Sequence, residues 1–326
     1  MRRLSEFVLL VLLAGCGGNV SQQINIPGST GGTGGGGTPP PSGTTLREFI
    51  VVPNLSNNTI TVKQVNLTDG TSTPRSTVSS GGNGAFVVKC NPATNVFYAI
   101  NSTSNLISEF RIDINGNVTN IGNIAAPGNG LLMVIHPTGR LVFVAGGTAN
   151  QVFTYAVANN GTLTKVAETA ANFLNGTPGL DADFSGAGAF LHIPMVGGIQ
   201  TCVIQNDGSL TSSSFNNLGA SIGVADYVLD VDVHPGQASL QASVQRNGND
   251  AIASAAINNG VLSGLASGVP YEVGLGDFSA AGRYYLGENN VPQVRGFDTV
   301  AATGARTELV TSPSSAAGAS AFYTQV

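Results

Sequence analysis

The sequence has little charge and few aromatic residues. Charged side chains make up 10% of the chain and aromatic side chains 6%, and tryptophan is missing altogether. The net charge is -5, so the chain lacks the clustered Lys and Arg with which proteins bind nucleic acid. Long amphipathic runs of the residues that favour helices are also scarce. The composition therefore excludes a basic nucleic-acid binder and predicts a chain with little helix.

Cysteine and histidine are rare, with three of each. Cys90 and Cys202 fall in different predicted strands, too far apart for the Cα spacing of a disulfide, and are expected to be small buried hydrophobes. His136 and His234 each precede a proline in a turn, and His192 lies within a strand. Three histidines at unrelated positions do not form a zinc site, so we expect structural roles for all of them.

Glycine, by contrast, is abundant at 44 residues, and many of the glycines lie in the turns of a sequence repeat. The segment from Leu131 to Gly146, LLMVIHPTGRLVFVAG, is an apolar strand, a Pro-Thr-Gly turn and a second apolar strand. This unit recurs about every 47 residues, and a third strand, an Asn-Gly or Asp-Gly turn and a fourth strand follow it. Four antiparallel strands per repeat predict an all-β chain, a β-propeller of six blades, with seven possible if a linker hides a degenerate blade.

The ends of the repeated region predict how the ring closes. The first copy begins with a second strand at 48–54, and the chain finishes with an innermost-type strand at 318–326. We therefore expect the C-terminal strand to join the first blade, which would remove two open sheet edges.

The N-terminal sequence is typical of an export signal. Arg2 and Arg3 precede a short apolar core, Phe7 to Leu13, which is too short to span a bilayer. The core ends in Leu13-Ala14-Gly15-Cys16, which resembles the bacterial lipobox, and this resemblance implies acylation of Cys16 after removal of residues 1–15. Gly17 stands where an Asp would imply inner-membrane retention, so the resemblance implies the outer membrane or the cell surface.

Residues 16–46 are rich in Gly, Ser, Thr and Pro and contain nothing that could form a core. They are predicted to be a tether that holds the propeller, residues 47–326, off the membrane. Ile24 and Ile26 could pair as an extra edge strand, although the pattern by itself does not predict one.

The segment HPTGRLVFVA and the NNGTLT turns resemble the repeats of the lactonase-like β-propellers, a group that includes 6-phosphogluconolactonases and YVTN-repeat proteins. Catalytic members carry an Arg-His pair at the start of an innermost strand and a Glu that closes the next strand. The pair falls here on Leu131-Leu132, Leu229-Asp230 and Gly274-Leu275, so no repeat carries it. Glu288 lies near the corresponding strand end. The resemblance implies the propeller fold, while these departures weigh against lactone hydrolysis.

Carboxylates recur in the predicted innermost strands. Asp183, Asp232 and Asp277 share one repeat position, where the first complete repeat has Lys89, and Asp181 and Asp230 lie two residues earlier. Because residues i and i+2 share a strand face, the five could form a metal site near the channel for Ca²⁺ or Mg²⁺. The alternative is that each Asp accepts hydrogen bonds from backbone N–H groups in its own or the neighbouring blade.

A second candidate site combines charge with nearby tyrosines. Arg246, Glu272, Arg283 and Glu288 come from one repeat or its approaches and could gather at a mouth of the channel as a ligand-binding patch. Two functions remain open at this point. One is a non-catalytic, lipid-anchored binding or scaffold module for a protein or glycan partner. The other is a lactone hydrolase with a divalent metal at the channel mouth.

Overall fold

The computed structural model describes residues 22–26, 47–66, 71–148, 150–217, 227–245, 251–270, 276–278, 282–287, 293–308 and 314–315. These residues form β-strands and turns, with one short 3-10 turn at Gly186–Gly188. Within these ranges, no helix is long and apolar enough to cross a membrane. The prediction of an all-β chain with little helix is confirmed.

The strands form six antiparallel sheets, one for each sequence repeat. Sheet one contains β1 (Gln22–Ile26), β2 (Arg47–Asn54), β3 (Thr59–Val65) and β4 (Ser72–Ser79); sheet two β5 (Ala85–Cys90), β6 (Val96–Asn101), β7 (Leu106–Ile112) and β8 (Val118–Ala125); sheet three β9 (Gly130–Ile135), β10 (Leu141–Gly146), β11 (Gln151–Val157) and β12 (Leu163–Glu168). Sheet four contains β13 (Asp183–Ser185), β14 (Phe190–Met195), β15 (Gly198–Ile204) and β16 (Leu210–Asn217); sheet five β17 (Tyr227–Val233), β18 (Ser239–Gln245), β19 (Ala251–Asn258) and β20 (Val261–Pro270); sheet six β21 (Gly276–Phe278), β22 (Arg283–Gly287), β23 (Gln293–Thr299), β24 (Arg306–Glu308) and β25 (Ser314–Ser315), the last paired with β23. This is the predicted propeller arrangement.

The innermost strands of neighbouring sheets lie side by side and run in the same direction. Asp181 and Asp230 form a parallel bridge between sheets four and five, and the Leu180 amide donates to the Leu229 carbonyl at 2.7 Å. The propeller therefore has two distinct ends. We call the end where the innermost strands begin the entry end; its connectors include 55–58, 80–84, 102–105, 126–129 and 170–178. The turn end carries 91–95, 113–117, 136–140, 158–162 and 205–209.

The core lies between the faces of consecutive sheets. Phe49 and Val51 of sheet one pack with Phe97 and Phe110 of sheet two in one buried cluster. Further clusters join sheets two and three, sheets three and four, and sheet five with Ile199 of sheet four. Strands near the middle of a sheet, such as β6 and β10, therefore bury both faces, which explains their continuous apolar runs, whereas the outer strands β4 and β8 are largely exposed.

The Asn-Gly turns lock each sheet onto the one before it. Gly161 adopts φ +85°, and a Cβ built on it would lie 2.4 Å from Cγ2 of Val96 in the preceding sheet. The Gly161 carbonyl accepts a hydrogen bond of 2.9 Å from the Tyr98 hydroxyl. Glycine is therefore required at this turn twice over, for its backbone conformation and for its close approach.

Sheet one differs from the prediction at its inner edge. β1 pairs antiparallel with β2, from Gln22 opposite Val51 to Ile26 opposite Arg47, and so takes the innermost place. The inner edge of β2 is thus occupied by β1, and the joining of the C-terminal strand to this blade stays a prediction. Residues 316–326 themselves lie outside the described residues. Part of the segment predicted as a tether thus belongs to the propeller.

Candidate functional site in the central channel

Three innermost strands begin with a β-bulge. Register shifts mark the bulges at Ala85/Val87, Ala145/Gly146 and Val228/Asp230. The bulged residues are Phe86, Leu131 and Leu229, at the same place in sheets two, three and five. A bulge re-aims a side chain and is common next to active sites. Apolar residues occupy all three positions here.

An ion pair spans the channel side of sheet three. Lys89 of β5 donates from Nζ to Oδ2 of Asp181, which precedes β13, at 2.5 Å. The two side chains are 10% and 14% exposed, so the pair is largely withdrawn from water. Because sheet two and sheet four are not neighbours, this bridge links innermost strands across the ring.

The carboxylate of Asp183 caps backbone groups. Its Oδ2 accepts from the Val233 amide of sheet five at 2.8 Å, and its Oδ1 accepts from the Phe184 amide at 2.7 Å. Asp181 likewise accepts from its neighbouring amide, Ala182, at 3.0 Å through Oδ1. For these two residues the structure bears out the alternative in which each Asp binds backbone N–H groups.

The other two described carboxylates face sheet six. Asp230 is 1% exposed and lies opposite Ser243, and Asp232 lies opposite Gln241. Burial raises the pKa of the Tyr284 hydroxyl well above its usual value, and the negative charges of Asp232 and Asp230 raise it further. The carboxylates of sheet four therefore bind a lysine and backbone amides, whereas those of sheet five act on a buried tyrosine hydroxyl.

The predicted metal set is only partly described, since the side chain of Asp277 lies outside the described residues. Among the side chains that are described, no three His, Cys, Asp or Glu lie close enough together to hold a metal ion. Asp181 and Asp183 already hold a lysine and backbone amides. The described residues thus do not fit a Ca²⁺ or Mg²⁺ centre, and the five-carboxylate site stays a prediction.

A buried hydrogen-bonded chain crosses sheet four. His192 is fully buried, with Nε2 2.8 Å from Oγ of Ser185 and Nδ1 3.0 Å from Oγ1 of Thr201. Burial lowers the pKa of His192 to about 4, so the ring is neutral at pH 7. The expectation of a buried, hydrogen-bonded histidine is confirmed. Nothing in the sequence indicated its partners.

The other two histidines hold turns. His136 Nε2 lies 3.2 Å from the carbonyl oxygen of Gly188 in the next sheet, and its Nδ1 lies 2.8 Å from Oγ1 of Thr138. His234 Nδ1 accepts from the Gly236 amide at 2.8 Å. Both rings also stack edge-on against a phenylalanine, Phe184 or Phe278. The predicted structural role of both residues is confirmed.

The predicted ligand patch lies mostly beyond what the structure describes. Arg246, Glu272 and Glu288 fall outside the described residues, so their grouping stays a prediction. Arg283 lies in β22 and donates from Nε to Oδ1 of Asp298 at 2.9 Å, with both side chains more than half exposed. This is a cross-strand surface pair on sheet six.

The two cysteines lie where the repeats predicted them. Cys90 ends β5 in sheet two, and Cys202 is buried in β15 of sheet four. Burial raises the pKa of the Cys202 thiol to about 12, which keeps it protonated and unreactive.

Comparison with known proteins agrees with this architecture. Residues 48–182 match the model of a family described as "Lactonase, 7-bladed beta-propeller". This part of the chain is similar to that family. The family description gives seven blades, whereas six sheets lie in the described residues. No curated protein is similar enough in sequence to count as a relative.

Solved structures share the lactonase-like fold at low identity. A 6-phosphogluconolactonase candidate from Bacteroides uniformis is 16% identical, with a TM-score of 0.72 over 84% of this chain and 83% of that one. A protein from Lactobacillus plantarum is 14% identical, with a TM-score of 0.71 over 84% and 83%. A second 6-phosphogluconolactonase candidate, from Bacteroides fragilis, is 14% identical, with a TM-score of 0.68 over 93% and 96%. At such identities the likeness concerns the fold.

Proposed function

We propose that this protein is an exported, lipid-anchored β-propeller that acts as a binding or scaffold module for a protein or glycan partner. Acylation of Cys16 would place it in the bacterial envelope, at the outer membrane or cell surface. The lactonase-like propeller supplies a rigid ring for this role. Fold alone does not decide activity, so the proposal depends on the residues of the channel.

The observation that carries the proposal is the apolar character of the bulged positions. Phe86, Leu131 and Leu229 occupy bulges at the start of innermost strands. In the motif resemblance, Leu131 and Leu229 take the place of the arginine of catalytic lactonases. A side chain without a donor or charge cannot stabilise the oxyanion that forms when a lactone is attacked. The bulges are present at these positions, but their side chains offer no donor or charge.

The second support is that the polar groups nearby are engaged in holding the ring. A general base must be free to accept a proton in reach of substrate. The Asp181 carboxylate instead pairs with Lys89, and the Asp183 carboxylate caps the Val233 amide. These contacts favour a structural and binding role for the channel.

The test is a hydrolysis assay on purified protein. Release of acid from δ-gluconolactone and 6-phosphogluconolactone is followed at constant pH, with Ca²⁺ or Mg²⁺ added and with a chelator. We expect the uncatalysed rate in every condition. Turnover above that rate would overturn the binding proposal, particularly if Lys89→Met/Asp181→Leu abolished it while leaving the protein folded.

Lactone hydrolysis is the second candidate, and one observation favours it. The family match over residues 48–182 covers sheets one to three and the start of the channel carboxylates. Under this proposal the substrate is a sugar lactone, and chelator sensitivity would indicate a divalent metal held by residues beyond those described.

The anchor has a separate test. Cys16→Ser removes the acylation site, so we expect the variant to leave the membrane fraction and appear in the released fraction on fractionation of cells. Membrane retention of this variant would contradict lipid anchoring and would leave the propeller assignment untouched.

A further inference from the structure

Strand β1 sets the length of chain between the acylation site and the propeller. Cys16 precedes Gln22, the first residue of β1, by six residues. Six extended residues span roughly 20 Å at most. A tether over residues 16–46 would instead allow roughly 100 Å when fully extended.

Half of that short reach is used inside the ring. Gln22 pairs with Val51, near the middle of β2, and β2 continues through Asn54 to the entry end. The chain from Gln22 back to Cys16 must first cover those three residue positions, roughly 10 Å of strand. Only about 10 Å then remains beyond the entry end, which is little more than the thickness of one headgroup layer.

The described connectors of the entry end differ in composition from those of the turn end. The described connectors there, at 55–58, 80–84, 102–105, 126–129 and 170–178, contain no Asp, Glu, Lys or Arg. Partly exposed apolar side chains accompany them at Leu55, Phe86, Leu131 and Phe173.

The turn end has a different character. Its described connectors carry the charged residues Asp113, Arg140 and Asp207. Charged groups lose hydration against a lipid surface, whereas small polar and apolar groups lose little. Among the described connectors, those of the entry end therefore lose less on contact with a lipid surface.

We propose that the acylated protein sits directly on the membrane with its entry end against the phospholipid surface and its turn end facing outward. This rests on the acylation of Cys16 proposed above. Residues 27–46, which join Ile26 to Arg47, then form a connection at the outward end and do not act as a spacer. The channel opening used by partners is the one at the turn end.

Two insertions of equal length test this arrangement. Ten Gly/Ser residues are added after Asn19, or after Gly34 as the matched control. The lipidated full chain is reconstituted into vesicles of phosphatidylethanolamine and phosphatidylglycerol that contain an acceptor-labelled headgroup lipid. A donor dye is placed on Thr103→Cys at the entry end or Thr94→Cys at the turn end, both exposed in sheet two, in a Cys90→Ala background.

Energy transfer to the lipid should be several-fold greater from position 103 than from position 94. The insertion after Asn19 should remove that difference, and the insertion after Gly34 should leave it intact. Equal transfer from both positions, or equal effects of the two insertions, would overturn the proposal. Failure of the protein to sediment with vesicles would contradict the anchor itself, so the two failures are distinguishable.

Discussion

Sheets three and four have the same architecture and opposite chemistry at matching positions. Where sheet three has Leu132, Val134 and Phe143, sheet four has Asp181, Asp183 and His192. Sheet three packs these positions into the apolar core, while sheet four uses an ion pair, a backbone cap and a histidine bonded to two hydroxyls. The turns and the strand pairing determine the architecture of a blade. The residue types at the positions near the channel can therefore differ from one blade to the next.

The ion pair provides the largest expected effect. Lys89→Met leaves the Asp181 carboxylate largely buried without its cation, which should lower the free energy of unfolding by about 3 kcal/mol. Lys89→Met/Asp181→Leu gives sheet four the leucine of sheet three and should recover most of the loss. Urea denaturation measures both. A double variant no more stable than Lys89→Met would show that the two sheets are not interchangeable at this position.

His192 makes the free energy of unfolding depend on pH, which Phe143 at the matching position of sheet three cannot do. Burial lowers the His192 pKa to about 4, below the unfolded value of 6.5. The unfolded state therefore binds the proton first, and stability is lost as pH falls from about 6.5 to about 4, by up to about 3 kcal/mol.

Comparison with His192→Gln isolates this contribution from the carboxylates that titrate in the same range. The stability difference between the two proteins should shrink as the pH falls through that window, when measured by denaturation at pH 7, 5.5 and 4. A constant difference would mean that the ring is not held neutral by burial.

Sheets three and four share a glycine at the same turn, and substitution of each glycine tests why it is needed there. Gly161 of sheet three and Gly208 of sheet four have nearly the same φ, +85° and +83°. A Cβ would lie 2.4 Å from Val96 at the first and 3.2 Å from Thr154 at the second. Gly161→Ala should cost about 3 kcal/mol, from backbone strain and overpacking. Gly208→Ala should cost about 1 kcal/mol, mostly strain. Equal losses in thermal unfolding would assign the requirement to φ alone.

The smallest effect is expected at the exposed counterpart of the channel ion pair. Arg283 and Asp298 are 52% and 58% exposed. Arg283→Ala should change the free energy of unfolding by less than about 0.5 kcal/mol, because water and salt screen the pair. A loss as large as that of Lys89→Met would mean that burial is not what separates the two ion pairs.

Much of the fold could be predicted from local pattern. The Pro-Thr-Gly and Asn-Gly turns and the alternation of apolar residues marked nearly every strand of the six sheets, because turn geometry and burial act over a few residues. The structural roles of His136 and His234 followed from the same repetition.

The candidate site was predicted less well. The repeat position of Asp181 and Asp183 and their backbone N–H partners agree with one of the two predicted alternatives, but the pairing of Asp181 with Lys89 was not foreseen. Lys89 and Asp181 are 92 residues apart, and only the packing of sheets two, three and four side by side brings them together. The Ser185–His192–Thr201 chain requires the cross-strand register of three strands, which periodicity alone does not fix.

The sequence by itself determined the repeat, the number of copies, the turns and the apolar faces, since each depends on residues close together in the chain. The tertiary structure decided three other features. It placed Gln22–Ile26 at the inner edge of sheet one, paired Lys89 with Asp181, and withdrew His192 from water. These contacts join segments distant in sequence, and their energies depend on burial and on the dielectric surroundings that the packed sheets create.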